Sequence, residues 1–312
     1  MKGVGPWVVG GLGVFAAATL LLIATGNTEV PVGTETEEGS NASLLGLALV
    51  TAFGLLLVRG VPPRLHLRDR VFEELEEKGR VRVRREVLPG LGISVLLSAA
   101  AFVIPTLTGL VVGDVWVLLK LVLFLVVPAL LLWRYGGSLG LFSGSDDGWV
   151  RFWFWFGPLV VSAAYLGATM FGPFAQEYSV APELLEPSVL PYVLAASLVV
   201  NFVTAGLAEE LFFRAYLQSR LEYLIGRWGG ILIPALLFAL MHLPLRLTLW
   251  MGQSGSFFLD ALLALAAVVV LNGTFGVFAG YLWLRYRNFV VLVLMHTGLN
   301  VIPFYLLASG VL

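Results

Sequence analysis

Three short polar clusters interrupt the apolar last third of this chain. Glu209 and Glu210 stand side by side in Ala208-Glu209-Glu210-Leu211-Phe212-Phe213-Arg214, after an apolar run that begins at Val189. Phe238-x-x-x-His242 and His296-x-x-x-Asn300 follow in equally apolar surroundings and hold two of the chain's 3 histidines. Burying adjacent carboxylates in hydrocarbon is costly unless chemistry or a charge network uses them. Four-residue spacing puts Glu210 and Arg214 on one helix face, where they can pair. It does the same for Phe238 with His242 and for His296 with Asn300. Glu209 lies about 100° around its helix from Glu210, so the two carboxylates need not share a role.

With Glu210 neutralised by Arg214, Glu209 is the carboxylate left to activate a water as general base. His242 can hold the same water or carry its proton. His296 and the Asn300 amide can donate hydrogen bonds to a developing oxyanion. That set is sufficient for peptide hydrolysis without a covalent intermediate. The same residues also admit a metal: Glu209, His242 and His296 form a His₂Glu set of the kind zinc uses, with one position open for water. No HExxH occurs. The residues leave the metal-free and the zinc chemistry both open, with no cofactor required and zinc possible.

These clusters have to be positioned by membrane helices. The chain has 312 residues, 59% of them hydrophobic and only 12% charged. A soluble domain carries about 25% charged residues, so a polytopic membrane protein is expected. A net charge of -1 argues against a nucleic-acid partner. The absence of cysteine excludes disulfides, thiolate nucleophiles and Cys-based metal sites. Apolar runs place candidate spans at 7–26, 43–58, 88–112, 115–133, 152–172, 189–210, 230–249, 257–284 and 289–310. The third and fourth share a weak boundary at Gly113-Asp114, so the expected fold is an all-α, polytopic transmembrane helix bundle of eight or nine spans. The N-terminal run from Trp7 is longer than the hydrophobic core of a signal peptide and reads as the first span.

Charge orients these spans. Residues 27–42 and 173–188 carry glutamates and no Lys or Arg, whereas 59–86 is rich in arginine. Arg214, Arg220, Arg227, Arg285 and Arg287 lie at the opposite ends of later spans. The positive-inside rule then gives a cytoplasmic N-terminus and an external C-terminus in an integral cell-membrane protein. On this topology His242 and His296 fall in the inner half or near the midplane, and Glu209 nearer the inner edge. Within the charged loop, Leu67 to Lys78 reads as a helix, Gly79 as its C-cap, and Arg80-Val81-Arg82-Val83-Arg84 as a period-two strand. The chain divides by these features into N-terminal spans, 1–150, with a charged cytoplasmic loop at 59–87, and a catalytic membrane core, 151–312. No internal repeat is visible.

As an ordered set, Glu-Glu-x-x-x-Arg, Phe-x-x-x-His and His-x-x-x-Asn resemble the motifs of the CPBP (Abi) family of intramembrane proteases, which includes the type II CAAX prenyl endopeptidases. The motifs run from Glu209 to Asn300, about the C-terminal third. The resemblance implies that Glu209 is the catalytic glutamate, with Glu210 its neighbour and Arg214 the motif's arginine. It implies that His242, beside Phe238, activates water, and that His296 and Asn300 are oxyanion donors. It further implies an all-helical fold whose intramembrane cavity opens to the cytoplasm and to lipid. The implied partners are the lipid bilayer and a membrane-associated or lipidated peptide or protein.

Each cluster alone has a plainer reading, since acidic pairs at helix ends are usually interfacial and a lone membrane histidine usually joins two helices. The ordered set on three apolar helices favours a site. The competing class is a non-enzymatic carrier, scaffold or bacteriocin-immunity-type protein that kept the polar cluster. Carriers tend to show matching halves, whereas here the polar residues crowd one end. Among the remaining polar residues, Asp114, Lys120 and Asp260 are expected to reach the membrane interface, Asn272 to bond across helices, and His66 to be an ordinary surface residue. Arg151 to Phe156 reads as an aromatic belt.

Overall fold

The computed structural model describes residues 5–31, 41–61, 65–109, 112–135, 148–171 and 186–308. The chain is built of helices: α1 (Pro6–Ala24), α2 (Leu44–Gly60), α3 (Leu65–Lys78), α4 (Arg80–Thr108), α5 (Val112–Lys120), α6 (Val127–Tyr135) and α7 (Gly148–Phe171) come first. Then follow α8 (Leu190–Asn201), α9 (Ser219–Ile225), α10 (Arg227–Met241), α11 (Leu243–Trp250), α12 (Phe257–Val268), α13 (Thr274–Tyr286) and α14 (Phe289–Ala308). One departure from the all-α expectation is a small antiparallel ribbon, β1 (Glu29–Pro31) with β2 (Asn41–Ser43), between α1 and α2. Ser43 ends the ribbon and caps α2, its hydroxyl accepting from Gly46 N at 2.9 Å.

Among the described residues, five helices are long and apolar enough to cross a membrane, or six if the bent pair α10–α11 is one span. Shorter apolar helices cover Leu44–Gly60, Val115–Leu131 and Phe289–Ile302. Large apolar side chains such as Leu12, Leu56 and Leu198 face outward, as lipid contact requires. This is an integral membrane protein.

The strand expected at Arg80–Arg84 is instead the start of α4. Val83, Glu86, Val87, Gly90, Ile93, Ser94 and Leu97 are buried at helical spacing, which outweighs a two-valine alternation. Gly79 takes a positive φ of 78° between α3 and α4. The side chain of His66 lies outside the described residues, as do that of Asp114 and much of the loops 27–42 and 173–188.

Among the described residues, three stretches of helix widen to i→i+5 hydrogen bonding: Leu121–Val126, which joins α5 to α6, Phe202–Gln218, which joins α8 to α9, and Val269–Gly273, which joins α12 to α13. Leu190–Ile225 therefore runs as one helix of 36 residues. Glu209 lies near its middle, because the helix continues past the apolar run that suggested its end. The first two of these face each other, with Phe124 stacked on Phe212 at 4.5 Å and edge-on to Phe213 at 5.0 Å. The principal buried core draws on both sides of residue 150: Val87, Leu97, Trp116 and Phe124 pack with Phe212, Phe213, Phe238 and Phe278.

Candidate active site

The first structural determinant is a break in the helix at His242. Pro244 has no N–H to offer Leu240 O, and α10 and α11 meet there at 47°. Ser98 Oγ donates to the freed Leu240 O at 3.2 Å, and the Trp116 indole N–H donates to Met241 O at 3.1 Å. His242 is the hinge residue, and its Nδ1 lies 2.8 Å from Phe238 O. A carbonyl only accepts, so in the neutral ring Nδ1 carries the proton and Nε2 is left as an acceptor. The Phe-x-x-x-His spacing is thereby a backbone device as well as a ring contact, the two rings being 4.8 Å apart.

A close backbone approach is the second determinant. A Cβ on Gly206 would collide with Thr297 Oγ1 and stand 2.9 Å from Val293 O, so only glycine lets α14 come this near. One turn on from that contact, the carboxylates converge on His296. Its Nδ1 lies 2.7 Å from Glu210 Oε1, and its Nε2 lies 3.8 Å from Glu209 Oε2. Contrary to the separate directions expected from a regular helix, both glutamates reach the same imidazole. Phe275 and Phe238 wall the ring at 4.6 and 5.8 Å.

Charge is balanced by two buried cations. Arg214 Nε stands 3.4 Å from Glu210 Oε2, and its guanidinium carbon 5.2 Å from the Phe238 ring. Lys120 pairs with Glu209 Oε1. Its ammonium sits over the Trp116 ring at 3.7 Å, and that ring is edge-on to His242 at 5.3 Å. Lys120 was expected at the interface but is only 2% exposed. The reason is its position at the start of the widened stretch, directly opposite Glu209, where the carboxylate compensates the buried charge. No local spacing could reveal this, because the partner is far off in sequence.

Of the motif residues, the structure brings Glu209, Glu210, Arg214, Phe238 and His296 into one buried cluster, with the partly buried His242 on its edge. Asn300 lies one turn beyond His296 on α14 and is exposed. Among the described residues, no hydrogen bond joins it to the cluster.

The zinc set fits poorly. A zinc ion on Glu209 would stand about 2.0–2.2 Å from a carboxylate oxygen, beside the fixed ammonium of Lys120. Nδ1 of His242 and of His296 are held by Phe238 O and Glu210, which leaves only Nε2 of each ring for a ligand. Among the described residues, no three His, Asp or Glu side chains are grouped to hold a metal.

Residues 191–302 match the family model described as type II CAAX prenyl endopeptidase Rce1-like. This segment is a CPBP-family domain. The resemblance read from the three motifs is borne out, and it implies a peptide hydrolase. No curated protein and no solved structure matches the chain. The Rce1-like domain contains all seven motif residues, whereas Lys120 and Trp116 lie well before it.

Other polar residues depart from their expected places. Asp260 is buried, accepting from Gly252 N and Ser254 N at 2.7 and 2.8 Å, so it caps the turn before α12 instead of reaching the interface. Asn272 Oδ1 is buried without a hydrogen-bond partner, where a bond across helices was expected. Arg220 and Arg287, read as orienting loop charges, are buried against Glu86 and Glu222. Gln218 Nε2 donates to Glu222 Oε1 and Gly280 O, both at 2.7 Å. This second network locks α9 to α13 away from the candidate site.

Proposed function

We propose that the chain is an intramembrane endopeptidase that cleaves a membrane-associated substrate of the prenylated, CAAX type. The observation that carries this reading is the convergence of Glu209, Glu210 and His296 inside the Rce1-like domain. Glu209 Oε2 and His296 Nε2 face each other across 3.8 Å, too long for a direct bond and within reach of a single oxygen lying to the side of both. Glu209 takes the proton of the attacking water as the water oxygen bonds to the scissile carbonyl carbon, and returns that proton to the leaving amine as the C–N bond breaks. His242, with Nε2 turned to accept, holds that water or relays the proton. Glu210 and Arg214 keep the His296 ring in place. The oxyanion is met by the Asn300 amide and by the His296 ring, whose orientation is fixed by the contact of Nδ1 with Glu210. This reading routes no step through a metal, and the cation of Lys120 on Glu209 Oε1 is what supports that choice.

The orientation follows the charge bias. Arg59 O, Val61 O, Arg80, Arg220, Arg285 and Arg287 gather at one end of the bundle through contacts between α2, α4, α9 and α13. This end is taken as cytoplasmic, with the N-terminus and the opening of the site on that side.

The test is cleavage of a prenylated reporter peptide by the purified chain in detergent, with and without o-phenanthroline. Wild-type cleavage that survives chelation and disappears in Glu209→Gln is the expected result. Loss on chelation with recovery on adding zinc would overturn the metal-free chemistry. Cleavage by Glu209→Gln at the wild-type rate would overturn the assignment of the base.

A further inference from the structure

Lys120 is a charged side chain sealed inside the protein, paired with Glu209 but not itself one of the motif residues. It belongs to α5, 71 residues before the Rce1-like domain begins. We propose that Lys120, seated on Trp116, is a positioning residue that completes the active site from the N-terminal half of the chain. The proposal rests on the endopeptidase reading above and adds to it a residue that the three motifs do not contain.

Three contacts support it. Lys120 Nζ holds Glu209 Oε1, which leaves Oε2 as the oxygen turned toward His296. The same ammonium lies over the Trp116 ring at 3.7 Å, so the cation has a second fixed partner. Trp116 in turn donates to Met241 O at 3.1 Å and stands edge-on to His242. Lys120 and Trp116 are four apart on α5 and face the same way. One helical turn thus ties the carboxylate of Glu209 to the hinge that carries His242, two groups drawn from different helices. A carboxylate with a free torsion would present either oxygen to the reacting centre; a carboxylate clamped at Oε1 presents one. Lys120 makes no contact with substrate in this scheme and acts through Glu209.

A merely structural lysine would also lie buried beside a glutamate, so the test separates the two roles. The full-length chain is compared in detergent as wild type, Glu209→Gln, Lys120→Met, Lys120→Arg and the double variant Lys120→Met/Glu209→Gln. Cleavage of the prenylated reporter and the melting temperature are both read. Lys120→Met is expected to lower kcat about 100-fold, the order of loss that follows misplacement of a reacting group by about 1 Å, while KM stays within about twofold of wild type. Lys120→Arg, which keeps the charge, is expected to restore at least tenfold of that loss. The melting temperature is expected to fall in Lys120→Met and to return toward wild type in the double variant, because removing both partners leaves no lone buried charge.

Wild-type kcat in Lys120→Met, alongside an inactive Glu209→Gln, would overturn the positioning role and leave the endopeptidase reading standing. A double variant no more stable than Lys120→Met would overturn the pair itself, and this readout needs no activity. If the wild type cleaves nothing, the endopeptidase reading fails and the positioning role falls with it, while the melting temperatures still decide the pair.

Discussion

Arg214 is fully buried, and its nearest carboxylate oxygen, Glu210 Oε2, stands 3.4 Å away. Removing one member of a buried pair leaves the other uncompensated, at a cost of about 3–5 kcal/mol. Arg214→Met is therefore expected to lower stability by about that amount, measured by denaturant or SDS unfolding of the purified protein. Glu210→Gln should cost a similar amount, because it leaves the Arg214 guanidinium uncompensated even though the amide oxygen still accepts from the imidazole of His296. At this scale the sequence is most transparent where partners are close along the chain. Glu210 with Arg214, and His242 with Phe238, are each one helical turn apart, so their contacts follow from spacing. Lys120 is opaque for the opposite reason: its partner is brought to it by the packing of Phe124 on Phe212, which no window of residues contains.

Elements set the distances that the residues need. Gly206 lets α14 approach the long helix, and the carboxylate-to-imidazole geometry follows from that approach. Gly206→Val should push the two backbones apart and reduce kcat about 100-fold, with the fold kept, as checked by circular dichroism beside the cleavage assay. A Gly206→Val variant of wild-type activity would show that α14 is located by other contacts. The break at His242 was legible in Pro244, a residue that ends or bends helices wherever it falls inside one. The widened stretches were not, because the same apolar composition suits either hydrogen-bonding pattern. Residues 80–84 misled because arginine and valine alternate there, while the burial that decides their conformation comes from Val83 onward at helical intervals.

The whole molecule is an apolar bundle with one charged seam running through it. Each apolar segment read from composition lies on an apolar helix, since hydropathy needs no knowledge of partners. The same rule overreads arginine. Arg220 and Arg287 hold buried carboxylates while also contributing to the charge bias at that end. Because the core is shared across residue 150, the N-terminal helices are part of the scaffold that holds the Rce1-like domain.

The 36-residue helix has a consequence for choice of substrate. At the α-helical rise of about 1.5 Å per residue it would reach about 54 Å, somewhat less over the widened stretch, against a hydrocarbon slab of about 30 Å. Tilt of up to about 40° does not absorb the difference, so part of the rod stands outside the slab. Glu209, Lys120 and His296 are fastened to this rod and to its packed neighbours, so their depth is fixed by the protein. A lipid anchor on a substrate takes its depth from the headgroups. Thickening the bilayer therefore shifts anchored bond and site relative to each other. In nanodiscs of increasing acyl-chain length, cleavage of an anchored peptide is expected to pass through an optimum, whereas an unanchored peptide in detergent shows no such dependence on chain length. Membrane thickness would then act as a selectivity filter, sorting substrates by the number of residues between their anchor and the bond to be cut.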